Sequence, residues 1–479
     1  MSVVVGIDLG TTTITALALN AESGDVLATV TVPTPAETTA PAHKARGRCE
    51  WHAVRIAEAA GECLCQLSRR LGAAWARLAG LGLTGQQHGT VLLDGLWPQT
   101  PFIGWQDRRG EETYPGGNLT YVGEALRRAG DDAAQRTGCR LAAGYMAVTL
   151  FWLQTNNMLP GGARACFIAD YFGGILTGTR PVTDPTCAAS SGVFDCKAGA
   201  WDADLIEALG LSLSSFHEIR PSGAPLGTVT AEMAEATELP EGLPVFVGIG
   251  DNQASFLGSV ADRDESVLVN VGTGGQVSAY SDDFRYDPML ETRPYPGGGY
   301  LLAEAGLCGG RSYAVLERFY RQAGEQLCGV VTGEPLYAVM NRLAASVPRG
   351  ADGLACEPFF TGTRHDPARR ASWTGVSAEN FTPGHITRAL LEGMARAFRA
   401  GYDAVARLGG GKTRLIGAGN GLRENPVLAR CVSDEFGLPL RVPRHREEAA
   451  FGAALLAAVG AGVFPDLEAA GGLIRYSQS

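Results

Sequence analysis

The chain has 479 residues, enough for two to four domains with large buried cores. Charged residues make up 19% and apolar residues 45%, which excludes disorder as the main state. Forty Lys and Arg against 50 Asp and Glu leave a net charge of −10, and no basic block marks a nucleic-acid footprint.

The opening MSVVVGIDLG has no basic segment and carries Asp8. It reads as a strand, Val3 to Asp8, and not as a signal peptide. The turn Gly10-Thr11-Thr12-Thr13 follows, then a second strand, Ile14 to Leu19. Strand, Gly/Thr turn and strand make a hairpin, unlike the strand–turn–helix of a Walker loop. Gly10 lets backbone N–H groups approach a phosphate, and the hydroxyls of Thr11, Thr12 and Thr13 add donors. Asp8, at the strand end, suits a water of a Mg²⁺ shell. Thr31 to Gly47 is loop-like, and His52 to Arg70 has helical spacing, stopped by Leu71-Gly72.

Leu81 to Thr84 reads as a strand leading into Gln86-Gln87-His88-Gly89, neutral hydrogen-bonding groups on a tight turn that suit hydroxyls. Trp105-Gln106-Asp107-Arg108-Arg109 adds an aromatic wall with an acid and two bases, a mix that suits a polyol. Pro244 to Ile249 is a strand running into Gly250-Asp251-Asn252-Gln253. Active sites of open α/β sheets gather at such strand ends. A carboxylate fixed at Asp251 can take a hydroxyl proton while Asn252 orients ring oxygens, although an Asp there also caps helices.

The turnover between halves falls around residues 250–265. A second β-rich run, Ser266 to Val271, ends in Gly272-Thr273-Gly274-Gly275 and continues as Gln276 to Tyr280. This repeats the first hairpin half a chain later and implies an internal duplication. Tyr286 to Gly299 is loop-like. Thr387 to Leu408 and Asn425 to Phe436 are helical, each stopped by glycine. Between them, the strand Arg414 to Ile416 leads into Gly417-Ala418-Gly419-Asn420-Gly421, a glycine surface that suits a purine lying on backbone. The uncharged stretch Ala449 to Pro465 is dominated by Ala and Gly and reads as a buried helix, not a membrane span. Eleven cysteines without a CxxC, and seven histidines without metal-ligand spacing, fit a reducing, cytoplasmic setting. Alternating strands and helices argue an α/β fold.

Taken together, the motifs resemble those of the FGGY carbohydrate kinases, of the actin/hexokinase/heat-shock-ATPase superfamily. GIDLGTTT resembles the family's first phosphate motif and VNVGTGGQ the second. GAGNG resembles the adenosine motif, and GDNQAS the segment of the catalytic Asp. TGQQHG and WQDRR resemble its sugar-contacting segments, and Glu448 to Ala454 its final connecting helix. They occur in family order from Val5 to about Val459. Within the family, residues 303–310, 359–365 and 384–390 resemble the sedoheptulose-kinase branch, with departures at Gln87, Cys308 and Thr363.

The resemblance implies two duplicated RNase H-like domains of the actin/hexokinase ATPase type around a cleft, residues 1–257 and 258–479. It implies Asp251 as catalytic base. Gln87, His88, Trp105, Asp107, Arg109 and Asn252 would face the sugar. Thr11, Thr12, Thr13, Gly272, Thr273 and Gly310 would hold phosphates, and Gly417, Gly419 and Asn420 the adenosine. Asp8 would organise Mg²⁺. The implied reaction is ATP-dependent phosphorylation of a ketose at its terminal hydroxyl, sedoheptulose first. The alternatives are xylulose, ribulose or glycerol as acceptor, or a non-transferring actin-like ATPase that senses sugar. The expected partners are a small sugar and ATP, with no nucleic acid and no membrane. Oligomeric state is open, with a homodimer among the candidates.

Overall fold

The computed structural model describes residues 2–477 apart from 332, 334, 364, 365 and 367. Arg364 and His365, which end one of the sugar-kinase-like segments, thus lie outside the described residues. In the first half, Val3–Leu9 (β1), Thr13–Asn20 (β2) and Val26–Pro33 (β3) form an antiparallel meander. Ala53–Leu71 (α1) follows, and Leu78–Gly85 (β4) then pairs with β1 in parallel. After Pro185–Ser190 (α2), Pro225–Thr228 (β5) and Pro244–Phe246 (β6) complete the order β5-β6-β4-β1-β2-β3. The pair Ile249–Gly250 (β7) rejoins β4 just before Asp251–Ser259 (α3).

The second half repeats the plan. Ser266–Val271 (β8), Gly275–Ser281 (β9), Glu291–Pro294 (β10) and Tyr300–Leu307 (β11) are antiparallel neighbours in the order β10-β11-β9-β8. After Gly310–Cys328 (α4) and Pro383–Gly409 (α5), Arg414–Ala418 (β12) pairs with β8 in parallel. Asn420–Arg423 (α6) and Pro426–Phe436 (α7) lead to Leu440–Arg441 (β13) beside β12. The duplication read from the two Gly/Thr turns is thus visible as topology. Asp8 stands opposite Thr15 and Thr84, and Asn270 holds the corresponding place opposite Gln276 and Ala418.

Three stretches depart from the sequence reading. Thr31 to Gly47 is not all loop, since β3 runs to Pro33 and Pro41–Lys44 is a short helix. Pro244 to Ile249 is not one strand. Val245 pairs with Leu81 but Ile249 pairs with Thr84, so the three residues between them oppose two and the chain bulges at Val247-Gly248. Gly248 makes this possible, since a Cβ there would lie 2.9 Å from the Leu83 carbonyl oxygen. Bulges of this kind re-aim the residues that follow, here Asp251. The loop expected over Tyr286 to Gly299 contains strand β10, which exists because β11 offers it a ladder from Tyr300 to Ala303.

The halves meet through α3 and Glu448–Gly460 (α8). The uncharged stretch is indeed a buried helix, apolar on every side from Ala450 to Ala458. It lies on β1 and β4 at Gly6 and Gly82, where a Cβ would come within 1.9 Å of the Ala450 and Ala453 carbonyl oxygens. It crosses α3 at Gly452 and Gly258, which approach each other's backbones as closely. One apolar core joins Val4, Leu17 and Phe246 of the first half to Leu268, Leu301 and Ile416 of the second. Among the described residues no helix is long and apolar enough to cross a membrane.

Candidate active site

The first turn is closed by the Gly10 N–H donating to the Thr13 carbonyl at 3.1 Å. Thr34 holds it from behind, its hydroxyl donating to the Gly10 carbonyl at 2.9 Å. Thr12 and Thr13 are exposed. The Thr11 hydroxyl accepts from Trp105 Nε1 at 3.1 Å and lies 3.3 Å from Gln86 Oε1, so the Trp105 indole touches the first Gly/Thr turn.

The second turn is open at Gly272, where an added Cβ would meet nothing within 4 Å. The start of α4 closes on its other side: Gly310 N–H donates to the Gly272 carbonyl at 2.9 Å and Arg311 N–H to the Thr273 carbonyl at 3.0 Å. The third glycine cluster lies against the same strand end. Gly419 has φ +82°, and a Cβ there would sit 2.5 Å from the Val271 carbonyl oxygen, so the position needs glycine twice over. Gly272, Thr273, Gly310, Gly419 and Asn420 therefore gather at one edge. Gly417 does not reach it: it is buried in β12, where a Cβ would press on Leu422 and Leu440.

Asp251 begins α3, with one oxygen accepting from the Asn252 N–H at 2.8 Å. Burial pushes its carboxyl up to about 6. Asp8 is pushed up to about 8, by burial first, then by repulsion from Asp251 and Glu447. Its Oδ1 is buried without a hydrogen-bond partner. Burial, then Glu448, raises Glu447 as well. Glu447 was not singled out in the sequence, because nothing local separates it from its neighbour Glu448. A buried acid repelled by two others, with one oxygen orphaned, is in the surroundings a cation relieves. Among the described residues no cluster of three or more His, Cys, Asp or Glu forms a metal cage. This donor set fits a Mg²⁺ that keeps much of its water.

Around Gln87 and His88, α2 is the organiser. Asp184 caps it, accepting from the Thr186 and Cys187 N–H groups and from the Ser222 hydroxyl. Thr186 then accepts twice: its carbonyl from Gln87 Nε2 at 3.0 Å and its hydroxyl oxygen from Gly250 N–H at 2.8 Å. Gln87 packs so tightly on Gly250 that a Cβ there would lie 2.0 Å from its amide nitrogen. His88 adopts φ +69°, held by Ser190: its N–H donates to Ser190 Oγ at 3.1 Å, and Nδ1 meets the Ser190 carbonyl at 2.8 Å. A carbonyl can only accept, so Nδ1 carries a proton. Asn252 Oδ1 accepts from Gln276 Nε2 at 2.9 Å, which ties α3 to the strand after the second turn.

Trp105 is 46% exposed and presents its indole. Asp107 and Arg109 lie behind it, 1% and 2% exposed. Asp107 accepts from Cys49 N–H and from Arg109, and Arg109 also pairs with Glu50 at 2.6 Å. These atoms are spent on one another, so the pair braces the loop that carries Trp105. The contributions of Thr186, Ser190 and Gln276 had no sequence signal beyond the Asp-Pro start of α2, since their partners are far along the chain.

Comparison with known proteins agrees with this geometry. A profile for the N-terminal domain of the FGGY family of carbohydrate kinases matches residues 3–258, and one for the C-terminal domain matches residues 271–461. Sedoheptulokinase of Mus musculus is 30% identical over 95% of this chain and 97% of its own. Xylulose kinase of Lactococcus lactis is 28% identical over 98% of this chain and 90% of its own. The crystal structure of xylulose kinase from Rhodospirillum rubrum superposes with a TM-score of 0.85 at 29% identity, covering 99% of this chain and 93% of that one. With two Gly/Thr turns on duplicated sheets, a glycine shelf beside the second and a buried acid where the halves meet, the chain belongs to the FGGY family of carbohydrate kinases.

Proposed function

We propose that this ATP-dependent sugar kinase phosphorylates the terminal hydroxyl of a ketose, with sedoheptulose the first candidate and D-xylulose the second. One observation carries the reading. Asp251 sits between two anchors: Gly250, before it, is held by Thr186 and packs on Gln87, and Asn252, after it, is bonded to Gln276 beside the second turn. A base so placed can meet a sugar hydroxyl on one side and a phosphoryl group on the other.

In this reading Gln87, His88, Trp105 and Asn252 bind the sugar, with Asp107 and Arg109 bracing them. Thr11, Thr12, Thr13, Gly272, Thr273 and Gly310 hold phosphates, and Gly419 and Asn420 receive the adenosine. Asp251 takes the hydroxyl proton as the new O–P bond forms and the bond to the ADP oxygen breaks. Asp8, with Glu447 behind it, is the acid we assign to Mg²⁺, which when bound neutralises phosphate charge. Positioning and charge neutralisation supply most of the rate in such transfers. Approach of the halves keeps water from competing for the phosphoryl group. We assign sugar binding to residues 1–257 and nucleotide binding mainly to 258–479. Eleven unpaired cysteines support a cytoplasmic setting.

The pairing of neutral donors with an indole favours an uncharged polyol. The relatives' names support the ranking of sedoheptulose over xylulose. A sugar sensor without transfer is disfavoured, because it has no need of a base held at both ends. The test is product analysis, phosphorylated sugar and ADP in equal amounts. ADP without sugar phosphate would contradict the transfer.

Two further outcomes follow. Gly272→Val should fold, since its side chain points into open space, and should weaken ATP binding at least tenfold by occupying phosphate space (about 1.4 kcal/mol). Normal ATP affinity by calorimetry would make the turn structural. The pH profile follows from Asp251, whose carboxyl burial pushes up to about 6. The working form is the carboxylate, so kcat/KM should fall as pH drops through about 6, tending to tenfold per unit below it. A profile flat from pH 7 to 5 would exclude this base.

A further inference from the structure

Strand β10 belongs to the second half, but its Glu291 and Arg293 side chains reach the first. Arg293 is 2% exposed, and Glu291, two residues before it, accepts from Arg293 Nε at 3.1 Å and Nη2 at 2.9 Å. The same guanidinium donates to the Tyr145 hydroxyl at 3.0 Å and to the Ala189 carbonyl of α2. Tyr145 OH in turn donates to Glu291 Oε1 at 3.3 Å. The Tyr145 ring stacks on His88, with centroids 4.4 Å apart and planes 10° from parallel. Ala189 precedes Ser190, the residue that holds His88 in its left-handed conformation. Two supports of His88 therefore end on one arginine of the opposite half. The neighbours of Arg293 fix the strand in place: Thr292 N–H donates to the Gly138 carbonyl at 2.9 Å, and the Pro294 carbonyl accepts from Gln253, two residues after Asp251.

We propose that Arg293 is a positioning residue for the sugar: aimed by Glu291, it reaches across the interface, pins Tyr145 and the Ala189 carbonyl, and so fixes His88 against the acceptor. A fork of charge-assisted bonds sets direction as well as distance, which a lysine cannot reproduce. Sugar affinity thereby depends on how the second half is seated on the first. The inference rests on the reading that His88 contacts the sugar.

The test is a double-mutant cycle on the full-length enzyme, with KM for ketose and for ATP, kcat and Tm measured for each variant. Arg293→Ala should raise the ketose KM by about tenfold or more, the effect of losing one charge-assisted network, and leave the ATP KM unchanged. Arg293→Lys should recover part of the loss. Tyr145→Phe, which keeps the stacked ring and removes only the hydroxyl, should show a smaller rise in the same constant. In a His88→Ala background, Arg293→Ala should add nothing further to the ketose KM. If Arg293→Ala does not fold, Arg293→Lys and Tyr145→Phe carry the same comparison. Equal effects in both backgrounds, or both KM values rising together with a fall in Tm, would overturn the proposal. A His88→Ala enzyme with an unchanged ketose KM would instead remove the sugar contact itself, and the route through His88 with it. A raised KM for His88→Ala beside a normal one for Arg293→Ala would leave the sugar contact standing and refute the positioning.

Discussion

Asp251→Asn is expected to lower kcat by ~10²–10⁴-fold, the usual worth of a positioned general base. The substitution is nearly isosteric, and Asn keeps an oxygen to accept from the Asn252 N–H, so α3 should start as before. What is lost is the ability to hold a proton. Removing the charge also relieves Asp8, which Asp251 repels. ATP affinity should therefore be unchanged or slightly improved, and the acid limb of the pH profile should disappear. Stopped-flow or steady-state turnover with calorimetric ATP binding separates these effects. Near-wild-type kcat would remove Asp251 from the chemistry.

Gly258→Val carries the largest expected effect on stability. A Cβ at this position would lie 2.0 Å from the Glu448 carbonyl oxygen and 2.8 Å from the Gly452 nitrogen, both backbone atoms. Relief requires α3 and α8 to separate, and each is fixed elsewhere: α8 by its seat on Gly6 and Gly82, α3 by the bond between Asn252 and Gln276. Overpacking usually costs ~1–3 kcal/mol, and with no side chain free to yield the upper end or more is expected. The α3–α8 pair positions Asp251 at one end and Glu447 at the other, so activity should fall below what the loss of folded protein explains. Thermal unfolding together with activity per folded molecule checks this. A variant with unchanged Tm and turnover would mean that the crossing is looser than the backbone distances imply.

The parts of the fold legible in the sequence are those specified by short stretches. β1, β2, β8 and β9 are β-branched runs bounded by Gly/Thr turns, and their spacing alone exposed the duplication. The helices α1, α5 and α7 carried their own periodicity and stops. Their starts were less legible: α5 begins at Pro383, earlier than its apolar pattern, because the Thr382 side chain accepts from the His385 N–H and caps it. The bulge before Asp251 could not be read, since it depends on Gly248 meeting Leu83 across the sheet. Nor could β10, which carries Arg and Pro and becomes a strand only against β11.

The candidate site divides the same way. Residues that act through backbone shape, such as Gly10, Gly272 and Gly419, were visible because they stand in glycine-rich turns at strand ends. Side chains that act through distant partners were not. The pattern Asp107-x-Arg109 reads identically whether it faces solvent or is buried, and only the Cys49 and Glu50 contacts decide it. Thr186, Tyr145 and Arg293 carry no local signal for their contacts across the site, because those partners lie tens to over a hundred residues away.

The most direct measurement is kcat/KM for sedoheptulose, D-xylulose, ribulose, fructose and glycerol at one saturating ATP concentration, with the phosphorylated position identified in each product. A site built from hydrogen-bonding groups rejects an acceptor that leaves them unpaired far more strongly than an apolar pocket would. The account predicts stoichiometric ADP and sugar phosphate, esterified at the terminal hydroxyl, with sedoheptulose first and xylulose next. A clear preference for glycerol or an aldose, or ADP release that no acceptor stimulates, would contradict it.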